Sequence, residues 1–290
     1  MREAFEFSEK ASTELSSLFP SPNKLEFEKC MSPFMLFDKK RYSGLLYSAD
    51  LGPERPKKVE NKGIQVVRRD TVEYVRDTMT EIIHAVLYDH SILKAATIAR
   101  TSTENLFENR VDISKLIMSK KVASSYKTQA TWRDGTKSQV VITPHGEWTC
   151  EDKGTRGESK VVPGKPWELT CESEPRGTAT LTHPHVHVMH LIDQRCPGSG
   201  PCIGERVKYV FVENRRAKLQ IERARDPEWV AENKTEKLDS LYYFEHCLRK
   251  PIESIFCIVY DDPYKVLFAD LHRRALNVYG KQTSIKSFFI

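Results

Sequence analysis

The stretch DKKRYSGLLYS, residues 38–48, places three consecutive cations and a tyrosine between apolar runs. It follows PFMLFD, and two short apolar segments separated by a charged break predict a small antiparallel sheet. The charges have two interpretations: a solvated turn, or a strand end that meets an anionic backbone. The second is physically reasonable because cations displace counterions from phosphates and a phenol ring packs against sugar. Composition alone leaves both open.

The bulk composition is that of an ordinary globular protein. With 45 basic and 40 acidic residues, the net charge is only +5, so any basic signal must be local. The seven cysteines show no paired CxxC spacing, which argues against a disulfide framework. No apolar leader follows Met1, and no run approaches the length of a membrane span. The sequence therefore predicts an intracellular protein without a membrane partner.

Hydrophobic patterns along the chain predict an α+β fold. An opening helix is expected to end near Pro20, LEFEK (25–29) has the alternation of a half-buried strand, and the connection 51–63 is expected to leave the sheet. Apolar residues at helical spacing then predict helices over 71–87 and 91–107, and GERVKYVFVE predicts a strand. Residues from about 130 to 182 lack a helical stripe, so we expect an irregular, disordered or β-rich insertion there. The last part of the chain is expected to be helical.

Four histidines, His183, His185, His187 and His190, lie within eight residues, with Cys196 and Cys202 nearby. Zinc would need four ligands converging at bond distance. We favour the alternative that the histidines form the polar face of a buried element, because histidines two apart share a face on a strand and apolar residues alternate with them. The two cysteines are interpreted as bystanders of a turn.

The C-terminal tail carries an amide, an aliphatic residue and two adjacent aromatics: Gln282, Ile285, Phe288 and Phe289. On a short 3₁₀ turn these side chains would form an apolar plug that docks in a partner's groove. The alternative is a segment folded back onto the protein's own core.

Several stretches, in order, resemble family B DNA polymerases, closest to the delta-like and large-DNA-virus members. FPSPNKLEFEKCMSPFMLFDKKRYSGLLY is similar to the region after the last catalytic motif, and KGIQVVRRDTVEYVRDT, NRVDISKLIMSKKV and DSLYYFEHCLRKPIESIF are similar to segments of the thumb. PHVHVMHLIDQRCPGSGPCIGERVKYVFV resembles the segment ending in G-D-R-V-P-Y, with Glu205 and Lys208 substituted. The resemblance implies a small antiparallel palm-edge sheet followed by a mainly helical thumb. The implied domains are the end of the palm (1–63), the thumb (64–279, with the insertion at about 130–182) and a tail (280–290).

The resemblance also implies site residues. The expected contacts to primer–template duplex DNA are Lys39, Lys40, Arg41, Tyr42, Lys62, Arg68, Arg69 and Arg206. Glu26 and Glu28 match acids near the palm's metal site, where they could assist an accessory divalent ion. The tail residues Gln282, Ile285, Phe288 and Phe289 match a box that docks on a sliding clamp similar to PCNA.

The departures from the family pattern bear on catalysis. The motifs D-x-x-S-L-Y-P, D-T-D and K-x-x-x-N-S-x-Y-G are absent, and Asp239-Ser-Leu-Tyr-Tyr243 lacks the proline of the first. We therefore expect no catalytic residue in this chain, with Mg²⁺ held mainly by a missing palm part. Either the polymerase is split into two polypeptides or the gene sequence is truncated.

Two functions remain at this stage. The first is the C-terminal part of a replicative DNA polymerase, inactive alone, which works with a catalytic N-terminal part in the nucleus or at a viral replication site. The alternative is a non-catalytic module that binds DNA and the clamp and was left by gene fission.

Overall fold

The computed structural model describes residues 1–162, 164–171, 176–214, 216–233 and 236–286, with only the backbone described for 280–286. The chain forms two compact units, residues 1–108 with 244–290, and residues 109–243. Helices and antiparallel sheets occur in separate segments, which confirms the predicted α+β class. Within the described residues, no helix combines the length and the hydropathy needed to cross a membrane.

The first unit contains a three-stranded antiparallel sheet in the order β1-β2-β3. Its strands are β1 (Lys29–Asp38), β2 (Arg41–Ser48) and β3 (Lys58–Lys62). The predicted pairing of PFMLFD with RYSGLLYS is confirmed. Two other predictions are wrong: residues 25–28 are not a strand, and the connection 51–63 returns to the sheet as β3. The sequence pattern does not reveal β3, because four of the five residues of KVENK are polar and the buried position is Glu60.

A helical hairpin follows the sheet: α2 (Glu73–Leu87) and α3 (Ile92–Phe107). Both helices were predicted. Met79, Ile82 and Ile83 of α2 are at most 1% exposed, and small residues of α3 such as Ala95 and Ala99 are fully buried. The hydroxyl of Ser91 caps α3 by accepting the Lys94 N–H at 3.1 Å. Because these α3 residues are small, the backbones of α2 and α3 can approach each other closely.

The rest of the first unit is helical. Before the sheet lies α1 (Arg2–Ser16), and the C-terminal segments are a π-helix (Phe244–Leu248), α7 (Arg249–Phe256), α8 (Pro263–Leu267) and α9 (Ala269–Lys286). Aromatic rings form the core between α3 and these helices, with Phe107 and Phe244 at 4.9 Å and Phe244 and Phe268 at 5.3 Å between centroids. Arg100 of α3 makes a bidentate ion pair with Asp270 of α9, at 3.1 and 2.8 Å.

The second unit combines a small sheet, short helices and a barrel. The sheet has the order β12-β11-β4. Its elements are β4 (Met118–Lys121), β11 (Arg206–Phe211) and β12 (Ala224–Arg225), with α4 (Pro184–Arg195), α5 (Pro227–Glu232) and α6 (Ser240–Tyr243) around them. Short 3₁₀ turns complete the two units at Gln65–Val67, Ile113–Leu116 and Gln220–Arg223.

Six antiparallel strands form a closed barrel in the order β10-β5-β6-β7-β8-β9. They are β5 (Tyr126–Trp132), β6 (Lys137–Ile142), β7 (Glu147–Cys150), β8 (Thr155–Lys160), β9 (Trp167–Thr170) and β10 (Gly177–Ala179). Alternate residues fill its interior, including Trp148, whose indole N–H donates to the Glu158 carbonyl at 3.1 Å. At Gly157 a Cβ would lie 2.3 Å from the Thr170 carbonyl oxygen, so glycine permits β8 to approach β9. The insertion at about 130–182 is therefore β-rich, which was one of the three alternatives left open by the sequence.

The histidine segment is a buried element, as predicted, but it is a helix and not the strand that the alternation suggested. His185 and His187 on α4 are 1% and 8% exposed, and His185 Nε2 lies 2.9 Å from the Tyr126 hydroxyl. Alternation of valine and histidine resembled a strand because this helix buries both kinds of residue. Burial lowers the pKa of each of these two histidines to about 4, which keeps them neutral at physiological pH. Among the described residues, no three metal-ligating side chains converge.

Candidate nucleic-acid interface

The basic residues of the opening motif form one end of the β1-β2-β3 sheet. Asp38 pairs with Arg41, so only Lys39 and Lys40 form the turn between β1 and β2. The Lys39 N–H donates to the Asp38 carboxylate at 2.7 Å, and Lys40 adopts a left-handed conformation with φ 60°. Both lysine side chains are exposed. The turn therefore displays two cations beyond the end of the paired strands.

The third strand, β3, ends at Lys62, and Lys62 and Gly63 lie beside the Lys39–Lys40 turn. Tyr42 on β2 pairs with Lys62 on β3. Gly63 follows with φ 65°, and a Cβ there would lie 2.3 Å from the Lys40 carbonyl oxygen. Only glycine permits this conformation and this contact together. The structure thus brings together Lys39, Lys40, Arg41, Tyr42 and Lys62, which we call the basic sheet end.

A buried carboxylate fixes the position of Tyr42. Glu60 is 9% exposed and accepts the Tyr42 hydroxyl at 3.3 Å and the Lys29 ammonium at 3.3 Å. Burial alone would raise the pKa of Glu60, but the hydrogen bond and charge of Lys29, with Lys62 and Tyr42, outweigh it and lower that pKa. The same hydrogen bond raises the pKa of Lys29. Sequence reasoning missed Glu60 and Lys29, because their pairing depends on the unpredicted strand β3.

The cations of the basic sheet end are available to a ligand. Among the described residues, Lys39, Lys40, Arg41 and Lys62 have no acidic side chain within ion-pair distance. Phe34 lies against Tyr42, with the ring centroids 5.5 Å apart. An exposed group of unpaired cations beside an aromatic ring suits a polyanion, since phosphates can replace the water around each ammonium.

Arg68 and Arg69 follow the sheet after a 3₁₀ turn and are exposed. Arg68 follows Lys62 by six positions, which limits the distance between their Cα atoms to about 20 Å. Arg68 pairs with Asp70 at 3.5 Å, whereas Arg69 has no ion-pair partner within the described part of the chain. Of these two arginines, therefore, only Arg69 is fully available to a ligand.

Arg206 belongs to the second unit. It lies on β11, opposite Lys121 of β4, and its guanidinium donates to the Ser119 hydroxyl at 2.9 Å and the Ser119 carbonyl at 2.7 Å. Lys208, two residues along the same exposed face, lies opposite Ser119. Sequence reasoning missed Lys121 and Lys208 as companions of Arg206. Two basic residues spaced by one on a strand were the signal that could have found Lys208.

Glu26 and Glu28 lie in the extended segment before β1. Both are exposed, and they pair with Lys24 at 3.6 Å and Lys29 at 3.9 Å, respectively. Two carboxylates could hold a divalent ion only together with water or ligands from outside this segment, and here both carboxylates pair with lysines. Their accessory-metal role stays a prediction, and the described residues of this chain do not fit a metal site of their own.

The proposed clamp-binding residues fall at the end of the described chain. The backbone of Gln282 and Ile285 belongs to α9 rather than to a 3₁₀ turn, so that part of the prediction is wrong. Phe288 and Phe289 lie outside the described residues, as do the side chains of Gln282 and Ile285.

Comparisons with known proteins give the family. The sequence model of DNA polymerase family B matches residues 1–134 and 168–259. The DNA polymerase delta catalytic subunit of Candida albicans is 28% identical over 276 residues, covering 95% of this chain and 21% of that protein. The subunits of Caenorhabditis elegans, at 29%, and of Oryza sativa subsp. japonica, at 27%, match 95% and 96% of this chain and 21% and 20% of their own lengths.

The chain therefore spans about a fifth of the length of the curated relatives it matches. A solved family B DNA polymerase from the hyperthermophilic archaeon Pyrobaculum calidifontis aligns with a TM-score of 0.45 and 18% identity, over 77% of this chain and 21% of that one. The family model covers more than half of the sequence. The chain thus belongs to DNA polymerase family B, as a part that is similar to the delta-type members.

Proposed function

We propose that this chain is the DNA-gripping C-terminal part of a replicative DNA polymerase. It would hold primer–template duplex through the basic sheet end and Arg69, and support nucleotidyl transfer by a catalytic N-terminal part. The metal-binding aspartates and Mg²⁺ would belong mainly to that other part. The family membership supports the reaction class.

The observation that carries the proposal is the basic sheet end itself. The pairing of β1, β2 and β3 places four cations that form no ion pair in the described structure at the end of the sheet that carries Tyr42. Contacts of this kind bind the backbone and the minor groove and carry little base information. We therefore expect affinity for duplex DNA that depends on salt and varies little with sequence.

Fluorescence anisotropy with a labelled primer–template duplex tests the proposal. The variant Lys39→Gln/Lys40→Asn removes two charges, and asparagine tolerates the left-handed backbone of residue 40 better than alanine does. If both lysines contact phosphates, the slope of log Kd against log salt should fall by about 1.8.

The matched control is Lys10→Gln/Lys94→Gln, which removes the same charge from exposed lysines of the same unit that already pair with Glu14 and Asp89. This control should bind like the wild type. A wild-type slope in Lys39→Gln/Lys40→Asn would show that the basic sheet end faces solvent and would contradict the proposal.

The alternative function is a non-catalytic module that binds DNA and a sliding clamp. Among the observations, the missing catalytic motifs favour it as much as they favour a split polymerase. Purification of the tagged chain from its native source separates the two. A catalytic part in stoichiometric amount supports the polymerase, and a clamp-bound chain without such a part supports the module. Nuclear or viral replication sites are the location proposed for either function.

A further inference from the structure

One part of the barrel surface carries cations but no acid on its strands. On the adjacent strands β10, β5 and β6, the outward positions hold two lysines and otherwise neutral residues. These residues are Lys127, Gln129, Thr131, Lys137, Gln139, Val141 and Thr178. On β7, β8 and β9, the outward charged positions hold three acids and two bases, Glu147, Glu158, Glu168, Arg156 and Lys160. A solvated surface normally mixes the two signs in this way, whereas the outward positions of β10, β5 and β6 hold cations and no acid.

Two arginines enlarge the positive side. The Arg133 N–H donates to the Arg176 carbonyl at 3.0 Å, directly after the paired residues Trp132 and Gly177. This bond brings Arg133 and Arg176 to the same end of the barrel, next to the start of β6. Like charges on neighbouring strands repel, so the arrangement costs stability unless an anion joins them. We call Lys127, Arg133, Lys137 and Arg176 the basic barrel face.

The acid next to this face does not neutralise it. Asp134 is occupied by the backbone N–H and hydroxyl of Thr136, at 2.8 and 2.6 Å, and by the Lys153 ammonium at 3.6 Å. Within the described part of the chain, none of the four cations has an ion-pair partner. All four side chains are exposed.

The spacing of the face suits a chain of phosphates better than a single small anion. Lys127 pairs with Val141, four residues from Lys137 on the same strand, so the two lysines lie about 13 Å apart. The cross-strand pair Gln129 and Gln139 lies between them, and Thr131 lies opposite Lys137. Hydroxyl and amide side chains also donate hydrogen bonds to phosphate oxygens.

We propose that the basic barrel face binds the phosphodiester backbone of nucleic acid. The site is additional to the basic sheet end and lies partly in residues 135–167, which the family model leaves unmatched. This proposal rests on the proposed function in one respect: the basic sheet end and the basic barrel face would both contact DNA in the same protein.

The test measures Kd against salt for a 20-base-pair duplex and for a 30-nucleotide poly(dT) strand. Two double variants of the full chain, Lys127→Gln/Lys137→Gln and Arg133→Gln/Arg176→Gln, each remove two charges from the face. Each should lower the salt slope by about 1 to 2 for the form of DNA that the face binds. The two probes show whether that form is duplex or single-stranded.

The matched control is Lys160→Gln/Lys165→Gln, which removes two barrel lysines outside the basic barrel face; Lys160 pairs with the β9 residue Glu168. It should leave the slope unchanged. Fluorescence of Trp132, Trp148 and Trp167 confirms that every variant retains the barrel.

The two proposals fail separately. If the barrel variants match the wild type on both probes while Lys39→Gln/Lys40→Asn loses slope, the basic barrel face does not bind nucleic acid and the proposed function stands. If the barrel variants lose slope and Lys39→Gln/Lys40→Asn does not, the barrel proposal stands and the basic sheet end is wrong. An equal loss in the Lys160→Gln/Lys165→Gln control would also overturn the barrel proposal, because net charge alone would then explain the effect.

Discussion

At the scale of single residues, Glu60 holds Tyr42 to the sheet. Its carboxylate joins Tyr42 of β2 to Lys29 of β1, although Glu60 itself belongs to β3. Because the pKa of Glu60 is lowered in the folded state, its contribution to stability is present above the ordinary glutamate pKa of 4.5 and is lost as the pH falls through the folded value. The basic sheet end therefore keeps its geometry at neutral pH.

Gly63 offers a prediction at the same scale. Gly63→Ala should destabilise the protein by about 1–3 kcal/mol, because alanine resists a positive φ and its Cβ would collide with the Lys40 carbonyl. The Lys39–Lys40 turn should shift, and affinity for duplex DNA should fall with it. Urea denaturation followed by circular dichroism and the anisotropy assay measure the two effects.

Gly52→Ala is the control for Gly63→Ala. Gly52 also has a positive φ, of 73°, but nothing lies within 4 Å of its would-be Cβ. Its substitution should cost only the conformational strain, about 1 kcal/mol, and leave DNA affinity unchanged. Equal losses of affinity in the two variants would contradict a specific role for the Gly63 contact.

At the scale of elements, α4 makes the stability of the second unit depend on pH. His185 and His187 have pKa values of about 4 in the fold, mainly through burial, against an ordinary value of 6.5. The unfolded chain binds more protons between these values, so stability should fall as the pH drops below 6.5. We expect the free energy of unfolding to be about 2–4 kcal/mol lower at pH 5 than at pH 7.5.

Tryptophan fluorescence during urea titration measures this loss, because all four tryptophans lie between residues 132 and 229 of the second unit. His185→Gln/His187→Gln should flatten the dependence on pH. The exposed His84 of α2 provides the control, and His84→Gln should retain it. A double variant as sensitive to pH as the wild type would place the titrating groups elsewhere.

The elements that could be predicted from the sequence are those in which buried apolar residues recur at a regular spacing. Helices α2 and α3 follow from apolar residues at helical spacing because one face of each packs on a core. The strand β3 and the helix α4 were missed, since Glu60 is buried by an ion pair and His187 is buried on a helix with valine neighbours. Whether such residues are buried depends on tertiary contacts and not on the local sequence pattern. The basic barrel face depends on pairing β5 with β10, 45 or more residues apart, which no local pattern contains.

At the scale of the whole molecule, the chain should not polymerise DNA alone. No D-T-D motif is present, and the described residues hold no converging metal ligands. Primer extension with Mg²⁺ should therefore yield no product from the purified chain. A fraction from the native source that contains the chain with its catalytic part should extend the primer. Incorporation by the chain alone would contradict the proposed division of labour.

The closed barrel has a consequence for how this chain arose. Its first strand, β5, and its last, β10, are direct neighbours, with Ala130 paired to Ala179 and the Thr128 hydroxyl bonded to the Thr180 carbonyl at 2.8 Å. The chain therefore enters and leaves the barrel at adjacent points. A module with adjoining ends can be acquired or lost by an ancestral gene without rerouting the flanking segments, and it can be grafted into another protein wherever a surface turn opens by a few ångströms.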